Sequence, residues 1–372
     1  MNRPRLAWAL LFCGWGAAVL LPTPCVGGDV PVPLLSGSLV DFTRNHGADH
    51  RFYASSLREK RDLYVYLPPG YDRRRRYPLF VWLHGYMADE RQALYTILPA
   101  LDDAIRRGAM PPVIAAIPDG SISGDFYYVG VGSWWIDSRR GRFQSYVLKD
   151  VIPFVERNFP VARDPAQRVL AGWSMGGFGA YNIVLKEPER FRIVAAVSPP
   201  LNLRYVDCTG NYFADFRPGC WRMRNCFTGL DVVGRYWHGL VKVRAWWVIY
   251  PVWGRGQRAV QKIIQENPLD ILMRRRPDLS KNRLFVAYGR RDEMNLDAQI
   301  ESFLYVASSM GVKVEAVAYP NGTHVEGFMA SVVANLLEWV GQQLPSSAMP
   351  GRRHVRISTK RSAGRVTARS GP

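Results

Sequence analysis

Seven short apolar runs, spaced by amphipathic stretches, set the tightest limit on what this chain can fold into. Leu63 to Leu67, Leu79 to Leu83, Val113 to Ile117, Val169 to Gly172, Ile193 to Val197, Leu284 to Tyr288 and Val314 to Tyr319 read as strands. Between them, Phe143 to Phe159, Phe178 to Lys186, Leu296 to Met310 and Val325 to Leu344 place apolar residues at helical spacing. Strands alternating with helices predict a largely parallel sheet covered on both faces, an α/β domain. With 372 residues the chain can bury one large core and still hold an insertion. Functional side chains in such a sheet gather where the strands end, at their carboxyl edge.

One region breaks the rhythm. From Leu203 to about Gln265 no clean alternation is found, yet twelve aromatic residues fall there, among them Trp221, Trp237, Trp246, Trp247 and Trp253. This is read as an insertion over the active edge of the sheet, a lid. A stretch that only packs itself down or forms an oligomer contact is the alternative.

The two ends carry signals of another kind. Arg3 and Arg5 precede sixteen uncharged, mostly apolar residues from Leu6 to Leu21, and small residues follow at Gly27 and Gly28. That run is shorter than a membrane span, so residues 1–27 are expected to be a cleaved signal peptide of a secreted or periplasmic protein, with an uncleaved anchor as the alternative. Residues 345–372 hold seven Lys and Arg and no acid, and are expected to be a disordered tail. The net charge is +18, of which the tail supplies +7 and the signal +2. Without a recognition motif this excess does not point to nucleic acid; the tail is expected simply to be solvated, with weak association with an anionic envelope surface as the alternative. Removal of the signal takes Cys13 and Cys25 and leaves Cys208, Cys220 and Cys226. Outside the cell two of these three are expected to pair, although spacing does not say which. No histidine lies at zinc-ligand spacing beside them.

The chemistry gathers around "AGWSMGGFGAY" at 171 to 181. Ser174 follows a predicted strand and precedes a helical pattern, with glycines at positions −2 and +2. In that setting the motif marks a nucleophile elbow, because small neighbours let a strained turn lift the hydroxyl above the sheet. Alone, it is also compatible with an ordinary turn serine. A serine hydroxyl needs a base. Of the histidines downstream, His354 falls in the tail and His238 in the insertion, which leaves His324, between the last predicted strand and the last helix. The base needs a carboxylate to fix its tautomer. Asp292, just past the strand that ends at Gly289, has the matching position; Glu293, Asp297 and Asp270 are its competitors. An oxyanion would be held by two backbone N–H groups, those of Met175 and, in the loop after "LFVWLHG", Tyr86.

In sequence order, "YVYLPPGYD" at 64, "WLHGYMADE" at 82, "GSWWIDS" at 132, "LAGWSMGGFGA" at 170, "GRRDE" at 289 and "GTH" at 322 resemble the esterase D-like family of α/β-hydrolases. That family includes feruloyl and acetyl esterases, S-formylglutathione hydrolase and mycolyltransferases. The resemblance covers about residues 35 to 202 and 266 to 343. It implies an α/β-hydrolase fold, a triad of Ser174, Asp292 and His324, and oxyanion donors at Tyr86 and Met175. It also implies that Trp134, Trp135 and Asp137 border the substrate cleft, with packing as their alternative role. "VEGFMASVV" after His324 departs from the paired tryptophans common in feruloyl esterases.

The expected organisation is therefore a signal at 1–27, a hydrolase domain at 28–202 and 266–344, an insertion at 203–265 and the tail. The expected function is that of an exported serine carboxylesterase that uses an acyl-enzyme intermediate and requires neither metal nor organic cofactor. An acyltransferase passing the acyl group to a sugar or lipid hydroxyl, and a catalytically silent binding protein on the same fold, are the two rival readings.

Overall fold

Residues 34–124 and 131–345 are described in the computed structural model. The expected signal at 1–27 and the expected tail, save Pro345, lie outside the described residues. Eight strands form one sheet: β1 Ser38–Phe42, β2 Leu63–Leu67, β3 Leu79–Leu83, β4 Ile114–Pro118, β5 Arg168–Trp173, β6 Ile193–Val197, β7 Arg283–Gly289 and β8 Glu315–Tyr319. Their spatial order is β1-β2-β4-β3-β5-β6-β7-β8. Only β2 runs against the others, pairing antiparallel with β1 and with β4, and every other neighbouring pair is parallel.

The strands read as unbroken apolar runs because both faces of the sheet are covered. In β2 and β3, Leu63, Val65, Leu79, Val81 and Leu83 pack into one core. Tyr64, Tyr66, Phe80 and Trp82, one residue out of phase, pack into the other. Helix α1, Ile97–Arg106, lies on the second face through Leu98, Leu101 and Ala104. On the first face lies α2, which runs from Phe143–Ser145 through a π-helical segment, Tyr146–Val151, to Ile152–Asn158. It is joined there by α3, Met175–Lys186, which is buried along nearly its whole length.

The segment between β6 and β7 opens with two antiparallel ribbons, Tyr205–Asp207 with Trp221–Met223 and Val232–Tyr236 with Val241–Arg244. A disulfide joins Cys208 to Cys220 at the end of the first ribbon, and Cys226 is free and exposed. Two four-residue helical turns, Ala245–Val248 and Tyr250–Trp253, lead into α4, Gly256–Glu266, and α5, Pro268–Arg275. The chain closes with α6, Leu296–Ser309, on the first face, and α7, Glu326–Gln343, beside α1 on the second.

Candidate active site

Ser174 stands on the turn between β5 and α3 with φ 52° and ψ −117°, a conformation that L-residues adopt at a cost of about 1–3 kcal/mol. Close backbone packing holds it there. A Cβ on Gly176 would lie 1.8 Å from the carbonyl oxygen of Leu83, and one on Gly172 would lie 2.5 Å from the carbonyl carbon of Gly176. Only glycine lets the start of α3 press so near the end of β3. The Ser174 N–H donates to Val197 O at 2.9 Å, and its own carbonyl accepts from the Phe178 N–H at 2.9 Å. Met175 is the first residue of α3, so its N–H belongs to the first turn, whose donors the helix itself cannot use.

The side chain of Ser174 meets His324, which follows β8. Ser174 Oγ is 2.9 Å from His324 Nε2. On the other side of the ring, His324 Nδ1 is 2.9 Å from Asp292 Oδ2. Asp292 lies just beyond β7, and its other oxygen accepts from the Met294 N–H at 2.8 Å and the Leu296 N–H at 3.4 Å. The carboxylate is thus fixed at both oxygens. Asp270 and Asp297, its rivals in the sequence, take other partners: Asp270 pairs with Arg204 at 2.6 Å, and Asp297 sits in the first turn of α6.

Glu293 does not displace Asp292 but holds the histidine from behind, since its carboxylate accepts the backbone N–H of His324. Trp173 stacks against the imidazole at 5.6 Å between ring centres. Burial works to lower the His324 pKa, yet the charge and hydrogen bond of Asp292, with the charge of Glu293, outweigh it and hold the pKa above the ordinary value. Neither Glu293 nor Trp173 in these roles was legible beforehand; the acid pair in "GRRDE" was the only hint of the first.

A brace of buried polar groups supports the loop after β3. The N–H of Gly120, after β4, donates to His84 Nε2 at 2.8 Å, so that nitrogen is the acceptor, and Nδ1–H donates to Gly85 O at 2.8 Å. His84 is therefore a strut between two loops. Beneath it Asp119 pairs with the buried Arg61 at 2.7 Å. Asp62, Glu90 and Asp119 form the one cluster with metal-like spacing among the described residues. Each already has a donor: Asp62 accepts from the Arg44 N–H, Glu90 from the Asn45 amide and Asp119 from the Ser121 N–H. Burial first, then the neighbouring acids, pushes the Glu90 pKa well above the carboxylate range.

Tyr86, Trp134, Ser174, Met175 and His324 line one cavity with Pro200, Met294, Leu296 and Gln299. The segment after β6 contributes Leu203, Tyr212, Arg224, Phe227, Val233, Val248 and Ile249 to the same wall. It is tied down at two points: the Tyr86 hydroxyl donates to Trp247 O at 3.0 Å, and the Trp134 indole N–H to Val248 O at 2.9 Å. Of the three residues expected beside the cleft, only Trp134 lines it. Trp135 is fully buried and packs on α3, where it comes so close to Gly179 that a Cβ there would clash. Asp137 points to the start of α2, accepting from the Ser145 N–H at 2.8 Å and the Ser145 hydroxyl at 2.6 Å. One and three positions after Trp134, these two side chains serve core packing and helix anchoring and do not line the cavity.

Comparison with known proteins gives this geometry a setting. Residues 54–332, well over half of the chain, match the family model described as Putative esterase. The chain is 28% identical over 158 residues to an endo-1,4-beta-xylanase/feruloyl esterase of Xylanibacter ruminicola, covering 40% of this chain and 21% of that protein. It is 29% identical over 156 residues to an esterase of Mycobacterium tuberculosis, covering 42% of this chain and 32% of that protein. The matched part thus spans about a third or less of these curated relatives. Among solved structures, a ferulic acid esterase superposes with a TM-score of 0.60 at 18% identity, over 83% of this chain and all of the other. An S-formylglutathione hydrolase from Agrobacterium tumefaciens gives 0.56 at 15% identity, over 84% of this chain and 98% of the other. Both carry the α/β-hydrolase fold found here.

Proposed function

The chain belongs to the Putative esterase family, and we propose that within it this protein is an exported serine carboxylesterase working through an acyl-enzyme intermediate. The observation that carries the reading is the unbroken chain of hydrogen bonds from Ser174 to His324 to Asp292 at the floor of a cavity. Ser174 Oγ attacks the ester carbonyl while His324 Nε2 takes its proton. Asp292 keeps the proton of His324 on Nδ1 and stabilises the imidazolium. The negative charge on the carbonyl oxygen is met by the N–H groups of Met175 and Tyr86, which need no reorganisation as charge develops. His324 then returns its proton to the departing alkoxide, and water, deprotonated by the same nitrogen, releases the acid. Acyl transfer and proton transfer are the whole of this chemistry, and three side chains with two amides supply both.

The feruloyl esterase name of one relative supports a bulky acyl group as substrate, as does the aromatic content of the segment over the cavity. The basic and then apolar residues 1–27 support export. Among the described residues no helix is long and apolar enough to cross a membrane. The test is labelling by a fluorophosphonate together with hydrolysis of para-nitrophenyl acetate. Ser174→Ala should abolish the first and lower turnover on the order of 10⁶-fold. Activity within tenfold of the parent would overturn the assignment.

A further inference from the structure

Arg224 is the one Lys or Arg in the cavity wall, in a stretch otherwise built from Leu203, Phe227, Val233, Val248 and Ile249. Its side chain is only 11% exposed. The guanidinium lies 3.9 Å from the ring centre of Phe227 and 5.1 Å from that of Tyr212. Tyr212 is fixed in turn, donating to Met294 O at 2.7 Å and accepting from the Gln299 amide at 2.9 Å. One edge of the guanidinium is spent, since Nη1 reaches Asp231 Oδ2 at 3.3 Å. The buried Nε has no hydrogen-bond partner among the described residues. A ring-stacked guanidinium in a cavity wall, anchored through one Nη alone, is a group suited to take an anionic oxygen.

We infer that Arg224 is a specificity-determining residue that selects esters bearing a carboxylate, held by its guanidinium in the cavity that contains Ser174. The inference rests on the esterase reading and adds the substrate class to it. The basic excess that remains once the signal and the tail are set aside acts in the same direction, drawing anionic esters toward the protein. Burial, the largest influence on the Arg224 pKa, lowers it, as expected of a cation that lacks a full counter-charge.

Two pairs of substrates test this and tell the acyl side from the alcohol side. The first compares the mono-para-nitrophenyl ester of glutaric acid with the para-nitrophenyl ester of pentanoic acid. The second compares para-acetoxybenzoate with para-acetoxybenzamide. In one pair the charged member should have the higher kcat/KM, and Arg224→Gln should lower that value about 10–100-fold while the neutral member stays within about threefold. Asp231→Asn, which frees the guanidinium from its competitor, should raise the charged-to-neutral ratio, an effect that misfolding cannot mimic. Unchanged ratios in both pairs for Arg224→Gln would overturn the inference, as would a ratio that does not rise in Asp231→Asn. If the folded parent cleaves neither neutral ester, the esterase reading fails, and that outcome is distinct from cleavage without discrimination.

Discussion

Ser174 and Arg224 face the same cavity from structures of opposite character. The serine stands on backbone packed so closely that a single methyl group at Gly176 would strike the Leu83 carbonyl, and its turn is pinned to β6 by Val197. The arginine follows a three-residue strand in a ribbon closed by one disulfide, in a segment whose Trp237, Leu240 and Trp246 are 61%, 87% and 55% exposed. On the sheet side every position is fixed by neighbours distant in sequence. On the other side short ribbons lead to the helical turn Ala245–Val248, which is tied to Tyr86 and Trp134 through the carbonyls of Trp247 and Val248. The difference teaches that reaction chemistry and substrate choice can be assigned to separate parts of one chamber. The rigid part keeps reacting atoms in place, where small displacements are expensive. The other part lines the chamber with Leu203, Phe227, Val233, Val248 and Ile249 beside Arg224.

The largest effect that would test this division belongs to the sheet side. Asp292→Asn should lower kcat by up to about 10⁴-fold with little change in thermal stability, because the geometry is kept while the wrong imidazole tautomer is favoured. If Asp297→Asn causes the loss and Asp292→Asn does not, the acid is misassigned. Next comes a matched pair of glycines. Gly176→Ala should cost about 3 kcal/mol in chemical denaturation, while Gly219→Ala, with no heavy atom within 4 Å of the added carbon, should stay within about 0.5 kcal/mol. Equal costs at the two sites would erase the contrast.

Removing the disulfide with Cys208→Ser and Cys220→Ser should cost about 2 kcal/mol or slightly more, felt locally. Limited proteolysis between 205 and 223 should then speed up, with acetyl ester hydrolysis kept within about threefold. Collapse of that activity would mean that the ribbon supports the floor as well as the roof. The smallest effect concerns Glu293. Activity needs neutral His324, and Asp292 and Glu293 hold its pKa above the ordinary value of about 6.5 against burial. The acid limb of kcat/KM should therefore have its midpoint above pH 6.5. Glu293→Gln keeps an acceptor for the His324 N–H but removes a charge, so the midpoint should move to lower pH by less than about one unit. A shift to higher pH would contradict the electrostatic account.

What was legible beforehand follows the same line. Strands β2, β3 and β6 were readable to the residue, because a strand buried on both faces leaves an uninterrupted apolar run. Strand β1 was not, since an edge strand that is mostly half-buried carries Asp41 among its residues and no such run. The helix at 143–158 was expected, but its π-helical middle follows from packing that no periodicity records. Ser174, Asp292 and His324 could be proposed because strand ends must carry them. Glu293, Tyr212 and Arg224 could not, because their roles depend on which carbonyls and rings face them across the fold. Trp135 and Asp137 show the limit of motif transfer, in which neighbours of a cavity residue need not share its cavity.

The order of the parts along the chain fixes the order in which they exist during synthesis. The elbow and the strands that shape it, β3, β5 and β6, are complete by residue 198. The roof follows, and only afterwards do Asp292 and His324 emerge, on loops whose strands β7 and β8 must still dock in turn onto the outer side of β6. A chain that stops before β7 therefore has the serine without the imidazole and carboxylate that stand beside it in the finished fold. The hydrogen-bonded row closes only when the loops after β7 and β8 are both in place.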